Sequence, residues 1–577
     1  MAPFLPSDCY NQIFENLEND RDALYSCILV NRQWCQSAIP VLWSQPFRLL
    51  NICRDPAEYS PESWRKRAGQ LVETYFLSLN EEEKRALKRK RVYLSREITA
   101  PPEAKPRPIF DYPHLLRRVD LGEVFAALLG WIEYTQENKM VAMQAHASSS
   151  SFMKMDRIAP VNFLMCRYRE FRSWRERRMR AELAAAKVLG NFLMKHCWTI
   201  KRFSIDTIHR SLVPDALLLM PMYPGAIDCL SNLAELRCTT KSIKTNFFQE
   251  ISKVARNLRN ITVWMSYPRV NAELMLDRRK KSKDEQTFIK EAEALVRVVE
   301  AQKSLRAFEL GYCPWGLDLV INSLKSQSHS LRRISFTGVN FLYSGPLAGL
   351  AACTKLEKLK FNSCLNLTDT VMQPLTNVRF PFLRKINMNS PAPASILTDI
   401  IRNSNASIKK LTLSEILQNE GETPSVIEII AQHCSNIIKC NVRPTKDEMP
   451  QLVSLVSLCE NLETLIITGA RWPEIDVNSV VRDMSKYKLP KLRHLGIQAA
   501  LTLTPRTLEH FFQNTRAPIV TLEFYQSQCF GDHHLDVVLC CLESTLRNLR
   551  VQTYRNIPSQ SIHNARQRIN SVYIYPM

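Results

Sequence analysis

The chain has 577 residues, 45% of them hydrophobic and 23% charged, which supplies a core, excludes wholesale disorder, and at this length implies about three or four domains or a stack of repeats. Lys and Arg exceed Asp and Glu by 77 − 56 = 21, an imbalance that favours acidic partners: nucleic acid, phosphorylated protein or an acidic protein face. The longest uninterrupted apolar run, Phe125 to Ile132, is far too short to span a membrane, and the first residues lack the regions of a secretory signal, so a place in the cytosol or nucleus is expected, with no membrane partner.

In chain order, Ser7 or Asp8 is expected to cap a first helix whose apolar positions Tyr10, Ile13, Phe14 and Leu17 share one face. A second helix carries Leu24, Cys27, Ile28 and Val30. A third, opened by Asn31, carries Trp34 and Ala38 and is expected to end at Pro40. Three short helices bury too little surface to be stable alone, so this unit wants a partner or the rest of the chain.

The strings LPSDCYNQIFENL, LYSCILVNRQW and AIPVLWSQPF resemble the F-box motif in a form common among fungal F-box proteins. Leu5-Pro6, Val30-Asn31-Arg32, Trp34 and Leu42-Trp43 stand in the motif's order. The resemblance covers about 43 residues and implies hydrophobic docking onto a Skp-type adaptor, and through it a cullin. It further implies that Leu5, Pro6, Ile13, Leu17, Leu24, Val30, Trp34, Leu42 and Trp43 make or support that contact.

Residues 61–98 read as one helix ending in a basic run at 84–91, a candidate nuclear import signal, phosphate-binding stripe or solvated face. A linker rich in proline follows, with Pro101, Pro102, Pro106, Pro108 and Pro113. Residues 138–151 read as a surface loop. Residues 167–195 read as a basic helix whose Tyr168, Phe171 and Trp174 are expected to pack inward rather than stack on bases.

From residue 305 the triplet L-x-x-L-x-L, with other apolar residues allowed at each L, returns ten times. It starts at Leu305, Leu331, Leu356, Leu383, Ile408, Ile437, Leu462, Leu492, Ile519 and Leu546, at intervals of 25 to 30 residues. Ten triplets in phase indicate one strand and one crossover helix per repeat. Segments such as Thr504-Pro505, followed by Leu508, Phe511 and Phe512, supply the helices. The string LEKLKFNSCLNLTD resembles the cysteine-containing class of leucine-rich repeat. Weaker triplets begin at Leu116, Ile200, Leu233 and Leu258, broken by inserts including a loop from Arg278 to Lys283.

The expected fold is therefore α/β: a small three-helix F-box (1–47), a basic helical segment and linker (48–112), irregular early repeats (113–304), and a regular leucine-rich-repeat solenoid (305–577). Its parallel strands would be concave and its helices convex.

Period-two alternation turns the third and fifth positions of each triplet toward the concave surface. The third positions of five consecutive repeats are Arg333, Lys358, Lys385, Lys410 and Lys439, flanked by Lys360 and Arg443. Such a column suits an acidic or phosphorylated protein target. The bland alternative is a solvated lysine stripe that serves solubility.

The seventeen cysteines form no CxxC and suit reduced, buried thiols. His433 with Cys434, or Cys529 with His533 and His534, carries ligand atoms, yet no second pair stands at finger spacing. Neither a metal nor a cofactor is expected. No P-loop, GxGxxG, HExxH or GxSxG occurs, which points to a non-catalytic receptor in a ubiquitin ligase. The alternatives are a solenoid that binds nucleic acid or a scaffold outside degradation.

Overall fold

A computed structural model describes residues 6–50, 60–90, 92, 94–95, 108–147, 160–206, 213–239, 245–265 and 281–576, except 343, 405, 414–415, 418–424, 470–474 and 499–500. Leu5, Pro101, Pro102 and Pro106 lie outside these residues, as do the side chains of Tyr168, Phe171 and Trp174. The chain forms two compact units, Met1–Tyr267 with Arg297–Leu305, and Pro268–Val296 with Arg306–Met577.

The first unit opens with three helices, α1 (Ser7–Asn16), α2 (Arg21–Ile28) and α3 (Arg32–Leu42). Phe14, Leu24 and Ala38 form their core, with Trp34 edge-on to Phe14 at 5.4 Å. Asp20 and Asn31 cap α2 and α3, each side chain accepting the backbone N–H three residues on, from Ala23 and Trp34. α1 has no side-chain cap. α3 does not stop at Pro40 but runs to Leu42, because a proline this near the C-terminus loses only one helical bond and its ring is left in solvent.

Residues 61–98 are not one helix. Pro61–Phe76 and Glu81–Arg89 are separated by a turn at Asn80, whose side chain accepts from Glu83 N while the Glu83 carboxylate accepts from Asn80 N. This reciprocal cap stabilises the chain more than continuing the helix through asparagine would. In the basic run Lys84 is buried and paired with Glu81 at 2.6 Å.

The expected loop at 138–151 is helical as far as Ala147, in a helix that begins at Leu121. That helix crosses Pro61–Phe76 at two glycines. A Cβ on Gly69 would stand 2.8 Å from Tyr134, and one on Gly130 would stand 2.8 Å from Trp64, so the bare backbones permit the approach. The residues expected to form a loop from 278 to 283 enter a helix by Lys281.

Strands β1 (Arg118–Asp120), β2 (Arg202–Asp206), β3 (Glu235–Thr239) and β4 (Asn260–Trp264) then pair in parallel, Val119 beside Phe203, Leu236 and Ile261. Each step is opened by one carbonyl that accepts two successive N–H groups of the next strand. Arg117 O accepts from Lys201 N (2.8 Å) and Arg202 N (3.1 Å). The first acceptor belongs to the helical unit: Ser44 O accepts from Arg117 N (3.0 Å) and Arg118 N (2.9 Å). Beside it the buried Gln45 donates to Glu18 O and accepts from Arg118 Nη1 at 3.0 Å, while Arg118 also binds the Glu18 carboxylate. The three helices therefore occupy the place of a preceding repeat in this unit.

The second unit is an α/β solenoid. Its long sheet comprises β5 (Ala307–Gly311), β6 (Arg333–Thr337), β7 (Lys358–Asn362), β8 (Lys385–Asn389), β10 (Lys410–Leu413), β12 (Lys439–Val442), β13 (Thr464–Thr468), β15 (His494–Gln498), β17 (Thr521–Ser527), β18 (Asn548–Thr553) and β19 (Ser571–Pro576). All pair in parallel, and Phe308, Ile334, Leu359, Ile386, Leu411, Cys440, Leu465, Leu495, Leu522 and Leu549 stand in one register row. These ten are the middle apolar residues of the ten triplets, and all are buried. β19 adds Val572 to the row; Ile569, Val572 and Ile574 have the triplet spacing, so this strand belongs to an eleventh repeat that the ten triplets do not include. Two short ladders, β9 (Ala392–Pro393) with β11 (Ile416–Leu417) and β14 (Ile475–Asp476) with β16 (Leu501–Thr502), escape the triplet pattern.

Candidate functional sites

Two features stand apart from the packing. The first is on the N-terminal helices. α1 to α3 turn Phe14, Leu24 and Ala38 inward, with Tyr10, Leu17, Ile28, Trp34 and Leu42 packed against them, and leave five apolar residues outside: Pro6, Ile13 (48% exposed), Tyr25 (57%), Leu29 (69%) and Val30 (57%). So much exposed apolar surface on one small unit is a partner-binding signal.

The residues named for adaptor docking divide accordingly. Pro6, Ile13 and Val30 are exposed; Leu17, Trp34 and Leu42 are half-buried against the core; Leu24 is fully buried within it. Trp43 packs on Tyr112 and Tyr75, away from that core. Tyr25 and Leu29 were not singled out from sequence, since a helical-face count assigns a residue to the core or its opposite without saying which outward side chains stay bare.

The second feature is the basic strip of the second unit. Arg333 is the register partner of Lys358, Lys358 of Lys385, Lys385 of Lys410, and Lys410 of Lys439. Strand spacing makes this a file of five cations about 19 Å long. Lys360 lies two residues along β7, on the same face of the strand as Lys358. Arg443 follows the end of β12 and is outside the file.

The file begins after Ala307 and gives way to Thr464 and His494. The Lys358 ammonium is held below its ordinary value, first by partial burial, then by Lys385, Lys360 and Arg333, with Glu309 opposing. Among the described residues none of Lys358, Lys360, Lys385, Lys410 and Lys439 is in an ion pair.

A neighbouring file was missed from sequence. The second triplet positions Arg306, Arg332, Arg384 and Lys409 are also basic and exposed. Glu357 stands among them and pairs with Arg332 at 2.5 Å, and beyond Lys409 the row continues with Ile438 and Glu463. Reading the second position with the same period as the third would have found it.

The cysteine and histidine pairs do not converge on a metal. Cys529 Sγ lies 3.4 Å from Leu501 O, His534 is buried between Gly531 N and Leu503 O, and His533 is exposed. Among the described residues there is no group of three His, Cys, Asp or Glu side chains arranged to hold a metal, and no helix is long and apolar enough to cross a membrane.

No protein-family model matches the chain, and no curated protein matches it in sequence. Among solved structures it has a distant likeness to an internalin, inlF, from Listeria monocytogenes, at 13% identity and a TM-score of 0.29, covering 60% of this chain and 82% of that one. A second distant likeness is to the Rad7 and Elc1 complex of yeast, at 11% identity and a TM-score of 0.36, covering 72% of this chain and 98% of that one.

Proposed function

We propose that this chain is a non-catalytic substrate receptor of an SCF-type ubiquitin ligase. Its F-box docks the Skp-type adaptor, its solenoid holds a protein target, and transfer chemistry is supplied by the other subunits, so that rate is gained by proximity. The observation that carries this reading is the exposure of Pro6, Ile13, Tyr25, Leu29 and Val30 along α1, α2 and the turn after α2, in a stretch whose sequence resembles the F-box. An exposed set of this kind on a marginal helical unit is stabilised by a partner that covers it.

The test is co-purification of the full chain with a Skp-type adaptor, comparing wild type with Ile13→Asp and Val30→Asp. Both sites are solvated, so folding is spared. A stoichiometric complex for wild type, lost in both variants, supports the receptor reading. A wild type that ignores the adaptor overturns it and leaves a solenoid that binds nucleic acid, or a scaffold, as the better account.

A further inference from the structure

We infer that the basic strip of the second unit is the docking surface for an extended polyanionic protein segment, whose acidic or phosphorylated side chains stand against Arg333, Lys358, Lys385, Lys410 and Lys439. The inference deepens the proposed receptor function by naming the chemistry of the target, and rests on that reading for the bound segment's role.

Like charges directly opposite on neighbouring strands are destabilising, and here four successive strand pairs oppose them in register. A solubility stripe would be better served by interspersed signs, as in the first unit, where the corresponding row runs Arg118, Arg202, Glu235 and Asn260 and Arg202 pairs with Glu235 at 3.1 Å. The flanking file adds Arg306, Arg332, Arg384 and Lys409 against Glu357, which pairs with Arg332. An anionic ligand would relieve this repulsion, and the free energy of relief would appear as affinity.

The geometry of the strip chooses the class of ligand. Between the cations the fifth positions are Ser335, Lys360, Asn387, Thr412 and Asn441. These include no aromatic ring on which a base could stack, the feature that single-stranded nucleic acid binders use. Four of the five cations are lysines, point charges that tolerate varied anion geometry, where bidentate recognition of a phosphate or carboxylate by a planar guanidinium calls for arginine. A strip about 19 Å long accommodates roughly six extended residues.

The test is fluorescence anisotropy on the full chain at low and at physiological salt, with labelled peptides of roughly ten residues: alternating Glu and Ser, the same with phosphoserine, and a Gln-Ser control. A single-stranded oligonucleotide of similar length is the fourth probe. The variant is Lys358→Gln/Lys385→Gln/Lys410→Gln. Its charge-matched control is Lys290→Gln/Lys325→Gln/Lys488→Gln, all exposed and outside the strip.

An anionic peptide should bind wild type, and the strip variant should bind it at least about tenfold more weakly, at up to about fivefold per surface charge, while the control loses less than about twofold. Which of the Glu and phosphoserine peptides binds more tightly identifies carboxylate or phosphate as the anion. Equal losses in variant and control, failure of both anionic peptides to bind wild type, or an oligonucleotide preferred over both and lost in the strip variant, each overturns the inference. Adaptor co-purification of the strip variant should match wild type, so a failure here is distinguishable from a failure of the receptor reading.

Discussion

Trp43 lies against Tyr112 with ring centroids 3.9 Å apart and planes 30° apart, and meets Tyr75 edge-on at 6.2 Å. The tryptophan that closes the F-box-like string therefore fastens the three helices to the segments around Tyr75 and Tyr112, and its role differs from that of Ile13. Trp43→Ala should destabilise the first unit by about 2–4 kcal/mol and lower adaptor capture only through unfolding. Ile13→Asp should stay within about 0.5 kcal/mol of wild type and abolish capture. Denaturant midpoints measured beside co-purification separate the two, and equal midpoints for both variants would contradict this division.

Relief of repulsion gives the strip an effect on stability opposite to its effect on binding. Lys385→Gln removes the cation opposed by both Lys358 and Lys410 and should raise stability by about 0.2–1 kcal/mol. The gain should shrink as salt screens the file. Urea melts at two ionic strengths check this; a loss of stability at low salt would show that Lys385 makes a favourable interaction instead.

His534 makes stability depend on pH. Its Nδ1 accepts from Gly531 N at 3.3 Å and its Nε2 faces Leu503 O at 2.7 Å, which suits the neutral ring with the proton on Nε2. Burial holds its pKa below the ordinary 6.5, despite the opposing carbonyl. The unfolded state therefore takes up the proton first, so this contribution is complete above about pH 6.5 and is lost as pH falls through the lower folded value. His534→Gln should flatten the stability profile between about pH 5 and 7; an unchanged slope in chemical denaturation would rule the residue out.

Gly349 sits where a repeat helix meets its neighbour, and a Cβ there would lie 2.1 Å from Ile321 O. A carbonyl in a helix cannot yield as a side chain can, so Gly349→Ala should cost about 2–3 kcal/mol. Thermal unfolding measures it, and a variant as stable as wild type would mean that the two helices can separate freely.

The fold was legible wherever apolar spacing met a constant period. Each of Ile334, Leu359 and Ile386 must be buried by the strands on either side, so a slip of one residue would turn a whole strand inside out. The elements read wrongly depended on local competition instead. Asn80 with Glu83 outcompetes a longer helix, Pro40 sits too near a helix end to stop it, and residues 138–147 have enough helical neighbours to continue despite their polarity.

The basic file was legible because register maps sequence period directly onto space. The contacts that mount the N-terminal helices were not, since Glu18, Gln45 and Arg118 meet across as many as 100 residues, and no local pattern marks such a meeting.

Because Ser44 offers its carbonyl to Arg117 and Arg118, the N-terminal helices are also the template on which the first strand is laid. Removing them together with Ser44 would take away that acceptor and leave β1 an open edge, inviting edge-to-edge aggregation. A truncated protein that fails to retain its target would therefore report a damaged repeat array, and only substitutions on the solvent side of α1 and α2 can separate the loss of docking from the loss of the scaffold.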